Sequence, residues 1–262
     1  MRYFIKIAFC GTNYFGWQKQ LDAVTVQEVL SERISKLLRS ETDIVGAGRT
    51  DTGVHALVYY AHFDTVEKIE DCENMVYRLN KMLPNDIVVY DIFSVDSNAH
   101  ARYDAVSRTY HYYIDTQKNP FTEKFMSYRY QPTDFDLMNE AAMYLLQVSD
   151  FSSFCKTGSD NKTTICKVTE AQWHQINSSQ YFFRITADRF LRNMVRAIVG
   201  TLFDVGEKKI SLDEFYSIIN KRDRCEAGES VEAKGLFLAD VRYPFIKGKD
   251  GISINHEPLI FI

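Results

Sequence analysis

The residues of this chain best suited to chemistry lie in a glycine-rich loop centred on Asp51. Gly46, Gly48 and Gly53 surround the acid, and glycine lets a backbone take positive φ or approach a ligand closely at little steric cost. Arg49 stands two residues before Asp51, where its guanidinium favours the ionised carboxylate and can hold a phosphate. A short glycine cluster alone is also typical of a hairpin turn with a solvated Asp, so the rest of the sequence must decide.

A tyrosine-rich segment is the second candidate. In a strand at 107–114, Tyr110 and Tyr112 share one sheet face, while His111 and Tyr113 share the other. At least one of these ring pairs is expected to line a cleft, although core packing is the more frequent role of a single strand tyrosine.

Three arginines form the third candidate. Arg189, Arg192 and Arg196 have i, i+3, i+7 spacing, which predicts one side of a helix beside an apolar stripe. A solvated helix face is the alternative interpretation.

Composition excludes several classes of protein. The 262 residues are 45% hydrophobic, with no apolar run near the roughly 18 residues of a membrane span. The N-terminal residues lack the pattern of a signal peptide, which predicts a cytoplasmic location. Five widely spaced cysteines disfavour a disulfide framework and a thiolate zinc site, and we expect them to be reduced packing residues. They are Cys10, Cys72, Cys155, Cys166 and Cys225.

The net charge of −4 does not indicate a strongly basic nucleic-acid-binding domain, so a polyanion would need a local patch. The candidate patch residues are Lys19, Arg39, Arg49, Arg102 and Arg108 in the first half, and Lys156, Lys162, Lys167, Arg189, Arg192 and Arg196 in the second.

The elements that position these residues repeat one order. In the first half, the residue pattern predicts a half-buried strand at 3–9 and then a helix that starts from a Thr25–Glu28 capping box. Two strands follow near 43–47 and 56–63, then a helix that ends at Pro84, and a strand at 86–95. The second half predicts strand 107–114, helix 134–147, strands 165–176 and 180–188, and a helix on the 191–203 stripe that stops at Gly206. A short helix from a Ser211–Glu214 capping box and a strand at 236–243 close the chain.

This order predicts an α+β protein of two tandem ferredoxin-like subdomains, each a split β-α-β unit like an RRM, whose mostly antiparallel sheets flank a central catalytic cleft. We place the subdomains at 1–103, with the Asp51 loop, and 104–262, which contributes Tyr and Arg side chains to the cleft.

Six ordered segments resemble the tRNA pseudouridine synthase A family across nearly the whole chain. They are Gly-Arg-Thr-Asp-Thr-Gly-Val-His-Ala at 48–56, Gly-Thr-Asn-Tyr-Phe-Gly-Trp-Gln-Lys-Gln at 11–20 with Val-Gln at 26–27, Arg-Thr-Tyr at 108–110, Asp-Phe-Ser-Ser-Phe at 150–154, Phe-Leu-Arg-Asn-Met-Val-Arg at 190–196 and Gly-Leu-Phe-Leu at 235–238. Two positions depart from the family pattern: Cys10 replaces a usual Asp, and Thr163 replaces a common Arg.

The resemblance implies that uridine is isomerised to pseudouridine without cofactor or metal, at positions 38, 39 and 40 of the tRNA anticodon stem-loop. It implies that Asp51 is the nucleophile, that Arg196 pairs with it, and that Tyr110 stacks on uracil and takes up the C5 proton. Whether Asp51 attacks uracil C6 or promotes a glycal route through the ribose stays open, and we favour the glycal route.

The same resemblance implies that the target base is flipped out of its stack and that Arg49 fills the gap or holds the flanking phosphate. Leu236 is expected to contact the substrate, and the enzyme is expected to act as a homodimer on tRNA, with no membrane partner. The residues expected to bind the RNA backbone are Lys19, Arg102, Arg108, Lys156, Arg189 and Arg192.

Two other functions agree less well with the sequence. A paired RRM-like binding module without catalysis would be indifferent to loss of Asp51, but it lacks the RRM strand signature. A metal-dependent hydrolase using His55, His62 and Asp64 is disfavoured, because the two histidines fall on opposite strand faces and no H-E-x-x-H motif occurs.

Overall fold

The computed structural model describes residues 1–159 and 162–246, which form two compact units. The first unit comprises Met1–Val106 with the described residues from Leu238 onward, and the second comprises Ser107–Phe237. Residues from Leu238 onward were expected with the second half of the chain. The subdomains 1–103 and 104–262 stay a prediction, as does their tandem ferredoxin-like character.

The first unit has the element order expected from the sequence. Its elements are β1 (Arg2–Phe9), α1 (Val26–Leu38), β2 (Ile44–Gly46), β3 (His55–Asp64), α2 (Cys72–Met82) and β4 (Ile87–Val95). The strands are antiparallel: β1 pairs with both β3 and β4, and β2 pairs with β3. The protein is therefore a mixed α+β fold with a mostly antiparallel sheet.

Strand β1 is buried on both faces, so the expectation of a half-buried strand was wrong. Phe4, which alternation places on the polar face, is fully buried. Its ring lies edge-on to Tyr243 and Phe245, with centroid distances of 5.3 and 5.4 Å. Because these rings come from the far end of the chain, alternation within 3–9 alone could not reveal them.

Helix α1 begins as its sequence predicts, with half of the expected capping box. The Thr25 hydroxyl accepts a hydrogen bond from the Glu28 N–H at 3.3 Å. Val26, Leu30 and Ile34 are buried and form the core-facing stripe. Helix α2 ends at Met82, just before Leu83 and Pro84, as expected.

The second unit adds five strands or parts of strands and three helices in the described residues. They are β5 (Ser107–Asp115), β6 (Ser127–Tyr128), α3 (Phe135–Tyr144), β7 (Val168–Gln175), β8 (Gln180–Ala187), α4 (Met194–Gly206), α5 (Leu212–Lys221) and β9 (Leu236–Arg242), whose residues are divided between the units. Strand β8 pairs antiparallel with β5 and β7, and the short β6, which the sequence did not predict, pairs parallel with β5.

Helix α4 starts later than its apolar stripe suggests. Asn193 is left-handed, with φ of 66°, and the helix begins at Met194. The Arg192 carbonyl, just before Asn193, accepts the Lys156 N–H at 3.1 Å. Arg189 and Arg192 therefore lie in the loop before the helix, and the prediction that they share a helix face with Arg196 was wrong.

Of the remaining helix and cysteine predictions, some are confirmed and one is wrong. Helix α5 has the full capping box at Ser211 and Glu214. Cys166 is buried, as a packing residue should be, but Cys225 is exposed, so it does not fit that expectation. Over residues 1–159 and 162–246, the helices are all too short or too polar to cross a membrane.

Candidate active site

Asp51 lies half-buried in the loop that joins β2 to β3. The Val54 N–H donates to the Asp51 carbonyl at 3.2 Å, which closes a turn immediately after the carboxylate. Gly53 sits in this turn with φ of 80°, a conformation that side chains disfavour. Gly48 has open space around the position of a Cβ among the described residues, so the packing of these residues does not require glycine there.

The first half of the loop is held by an aromatic pair that the sequence did not single out. The Tyr59 hydroxyl donates to the Gly48 carbonyl at 2.5 Å, and the Trp17 ring lies 4.2 Å from the Tyr59 ring between centroids. A Cβ on Gly46 would lie 2.1 Å from the Tyr59 hydroxyl and 2.5 Å from the Trp17 ring. Glycine at 46 is therefore required by close packing.

The second half of the loop is held by residues 10–17, here called the bracket segment. The Gly11 N–H donates to His55 Nδ1 at 3.1 Å, and the Gly53 N–H donates to the Tyr14 carbonyl at 3.3 Å. A Cβ on Gly11 would lie 2.0 Å from the Val54 carbonyl oxygen, so the two backbones are in direct contact. Together with Tyr59, these contacts determine the path of the chain on both sides of Asp51.

Tyr110 is on β5 in the second unit and is half-buried, whereas His111, Tyr112 and Tyr113 are buried. Its ring lies edge-on to Phe190 at 5.1 Å between centroids. Of the four rings in this strand, Tyr110 alone is not buried, so the expectation that a pair of these rings lines a cleft was wrong.

Arg196 is in the first turn of α4 and is half-buried. Its Nε donates to the Val231 carbonyl at 2.7 Å, and the Val231 N–H donates to the Arg196 carbonyl at 3.2 Å. These two reciprocal hydrogen bonds fix the position of the Arg196 backbone and of its Nε atom. Arg196 also acts on Tyr112: burial raises the pKa of the Tyr112 phenol, while the Arg196 charge acts in the opposite direction.

Four predicted RNA-binding residues of the second unit lie around the loop after β8. The Arg108 guanidinium donates to the Asp188 carbonyl at 2.8 Å, and the Asp188 carboxylate accepts the Arg189 N–H at 2.7 Å. The backbone bond from Lys156 to Arg192 joins the other two. The structure thus brings together residues that are up to 84 positions apart in sequence, from 108 to 192.

The predicted RNA-binding residues of the first unit are on separate segments. Lys19 and Arg49 are exposed, and the Lys19 N–H donates to the Gln27 side chain at 2.8 Å. Arg102 is exposed and lies over the Tyr103 ring at 5.7 Å. Leu236, the predicted substrate contact of the second unit, is buried at the first position of β9.

Similarity to known proteins decides the family. A model of the tRNA pseudouridine synthase family matches residues 5–104 and 141–244. The chain is 49% identical to tRNA pseudouridine synthase A of Bacteroides fragilis over 243 residues, and this alignment covers 93% of this chain and 96% of that protein. It is 50% identical over 245 residues to the enzyme of the same name from Porphyromonas gingivalis, over 93% of this chain and 97% of that protein. The chain belongs to the tRNA pseudouridine synthase A family.

Membership confirms the resemblance seen in the six sequence segments and makes the chain an enzyme of the isomerase class. The two departures from the family pattern are accommodated locally. The Cys10 N–H donates to the Asp86 carbonyl at 2.8 Å, a backbone bond that does not depend on the side chain. The Thr163 hydroxyl accepts the Ile165 N–H at 3.1 Å within its own turn.

The two histidines of the metal-hydrolase alternative have structural partners in this pseudouridine synthase family member. His55 Nδ1 accepts the Gly11 N–H and His62 Nδ1 accepts the Ala101 N–H, each at 3.1 Å, and both rings are buried. Among the residues the structure describes, no group of three or more His, Cys, Asp or Glu side chains is arranged to hold a metal ion.

Sequence reasoning missed the residues that shape the Asp51 loop, chiefly Tyr14 and Tyr59. The 11–20 motif of the family contains Tyr14, so a signal was present, but spacing alone does not show that this segment touches the loop. Tyr59 carried no signal beyond its place in an apolar strand.

Proposed function

We propose that this enzyme isomerises uridine to pseudouridine at positions 38, 39 and 40 of the tRNA anticodon stem-loop, with Asp51 as the nucleophile. One observation carries the proposal: in a chain of this family, the half-buried Asp51 is on a loop that is hydrogen-bonded from both sides, by Tyr59 and by Tyr14. A carboxylate placed on so constrained a backbone is pre-organised for attack.

The reaction needs no net oxidation or hydrolysis. The bond from N1 to C1′ breaks, the uracil turns, a bond from C5 to C1′ forms, and the C5 proton leaves while N1 gains one. Asp51 divides this exchange into two easier steps. It either forms a covalent intermediate as the nucleophile or, in the glycal route that we favour, takes the C2′ proton as the bond to N1 breaks and returns it when C5 bonds to C1′. No cofactor or metal is part of the proposal.

Tyr110 and Arg196 complete the proposed centre. Tyr110 stacks on the detached uracil and receives the C5 proton, in keeping with its partly exposed ring. Arg196 pairs with Asp51 and keeps the carboxylate ionised. The hydrogen bond from Arg196 Nε to the Val231 carbonyl supports this role, because it restricts the position of the guanidinium. We propose that two ferredoxin-like subdomains supply these groups to one cleft and that Leu236 borders the uracil.

Binding of tRNA is proposed to depend on charge and shape. Arg49 occupies the space of the flipped nucleotide or holds its phosphate, since it is exposed beside Asp51. The backbone contacts come from Lys19, Arg102, Arg108, Lys156, Arg189 and Arg192. A cytoplasmic homodimer that shares one tRNA is part of the same proposal.

Release of tritium from C5-labelled uridine in tRNA transcripts tests the site and the chemistry together. We expect release from transcripts with uridine only at 38, 39 or 40, no release when all three are cytidine, and the same rates with and without a chelator. Release from the cytidine transcript would refute the assigned positions. Loss of release on adding chelator, restored by a divalent metal, would favour metal-dependent chemistry.

A further inference from the structure

We propose that Asp86 and Tyr14 form a positioning pair for the Asp51 loop, an inference that rests on the proposed role of Asp51. Neither residue is expected to touch the substrate. Asp86 acts through Tyr14, and Tyr14 acts through its backbone carbonyl on the turn that follows Asp51.

The contact between the two side chains is short and partly buried. The Tyr14 hydroxyl donates to Asp86 Oδ1 at 2.5 Å, and the Tyr14 side chain is only 5% exposed. Asn13 Nδ2 donates to the other carboxylate oxygen at 3.1 Å, and the Asp86 carbonyl accepts the Cys10 N–H at 2.8 Å. Asp86 therefore anchors the bracket segment at three points, just before β4 begins.

Tyr14 connects Asp86 to the Asp51 loop through its backbone carbonyl. Its carbonyl accepts the Gly53 N–H at 3.3 Å, and Gly53 is the positive-φ residue of the turn after Asp51. Two further contacts join the same segments: the Gly11 N–H bonds to His55, and Gly16 is so close to the Thr50 carbonyl that a Cβ would lie 2.2 Å from its oxygen. A shift of Tyr14 must therefore move the backbone on the C-terminal side of Asp51.

The chemistry of the two side chains favours this hydrogen bond. A hydrogen bond from a phenol to an ionised carboxylate is about twice as strong as one between neutral groups. Burial, followed by the Asp86 hydrogen bond, raises the pKa of the Tyr14 hydroxyl, so the phenol remains a donor. Since a misplacement of about 1 Å can lower a rate by about 100-fold, loss of this anchor should slow turnover without removing any reacting group.

The test compares two equal changes in the same unit. Tyr14→Phe removes the anchoring hydroxyl, and Tyr3→Phe is the matched control, because the buried Tyr3 hydroxyl accepts the Ile69 N–H at 2.8 Å, outside the loop and the bracket segment. We expect Tyr14→Phe to lower kcat by about 10-fold to 100-fold with little change in the KM for tRNA. Tyr3→Phe should keep the parent kcat.

Hydrogen exchange supplies a readout that does not depend on catalysis. The amides of Gly53 and Val54 should exchange at least several-fold faster in Tyr14→Phe than in the parent or in Tyr3→Phe. Asp86→Ala should reproduce both effects, and Asp86→Asn should restore most of the kcat, since its amide oxygen still accepts the Tyr14 hydroxyl.

Equal kcat and equal exchange in Tyr14→Phe and Tyr3→Phe would overturn the positioning pair. Faster exchange with an unchanged kcat would also overturn it, because the loop would then tolerate the movement. The proposed function has its own test: if Asp51→Ala stayed active, the nucleophile would be wrong, while the exchange result would still report whether Asp86 and Tyr14 hold the loop.

Discussion

The buried His62 should make the first unit lose stability as the pH falls. Its side chain is 3% exposed, and its Nδ1 accepts the Ala101 N–H at 3.1 Å, which requires the unprotonated nitrogen. Burial is the main cause that lowers the pKa of His62 from 6.5 to about 4, with smaller contributions from Arg2 and His100. Asp64 and Asp104 oppose this shift.

The sign follows from proton binding. The unfolded chain takes up a proton at His62 near pH 6.5, and the folded chain only near pH 4, so the unfolded state holds more protons in this window. The stabilisation is fully present above the unfolded pKa and is lost as the pH falls toward the folded pKa. The full difference is about 3 kcal/mol, and between pH 7 and pH 5 the loss is about 2 kcal/mol.

Urea unfolding at pH 7 and pH 5 measures this loss. The chain has two tryptophans, so a Trp173→Phe background leaves Trp17 to report on the first unit. His62→Asn is the matched variant, because its amide oxygen can accept the Ala101 N–H but does not titrate. We expect the parent to lose about 2 kcal/mol more than His62→Asn between the two pH values. An equal loss in both proteins would refute the assignment of the shift to His62.

Three further outcomes are expected. Gly46→Ala should lower the free energy of unfolding in urea by about 1–3 kcal/mol, because its Cβ would clash with buried rings. Gly48→Ala should lower it much less, and equal losses in the two variants would contradict the close-packing argument. Tyr110→Phe should keep tRNA affinity and lose about 100-fold or more in tritium release, and parent-like release would exclude the phenol as proton acceptor. Arg192→Gln and Lys156→Gln should each lower the slope of log affinity against log salt by about 0.7–0.9 in a filter-binding titration, and an unchanged slope would remove that residue from the RNA interface.

Periodic segments were predicted well because their signals are local. The stripe of α1 and the capping box at Ser211 each place a helix start within one or two residues, since the contacts involved lie within one turn. The start of α4 failed because the left-handed Asn193 and the bond from Lys156 to Arg192 depend on residues distant in sequence.

In the candidate site, too, local signals were predictable from the sequence and contacts between distant segments were not. Motif similarity singled out Asp51, Tyr110 and Arg196, whose roles stay predictions. Alternation correctly placed His111 and Tyr113 on one face of β5, where their side chains are hydrogen-bonded at 3.1 Å. The aromatic support under Gly48 and the anchor at Asp86 could not be predicted, because both join residues from separate strands and loops whose proximity only the fold creates. Burial of β1 on both faces has the same cause.

The catalytic role of the Asp51 carboxylate is tested most directly by tritium release from C5-labelled tRNA with Asp51→Asn, compared with Asp43→Asn, which neutralises an exposed acid just before β2. Asp51→Asn should keep the volume of the side chain, its fold and its tRNA affinity, but release no label in a single turnover. Asp43→Asn should release label at the parent rate. Release at a comparable rate from the correctly folded Asp51→Asn protein would contradict the account.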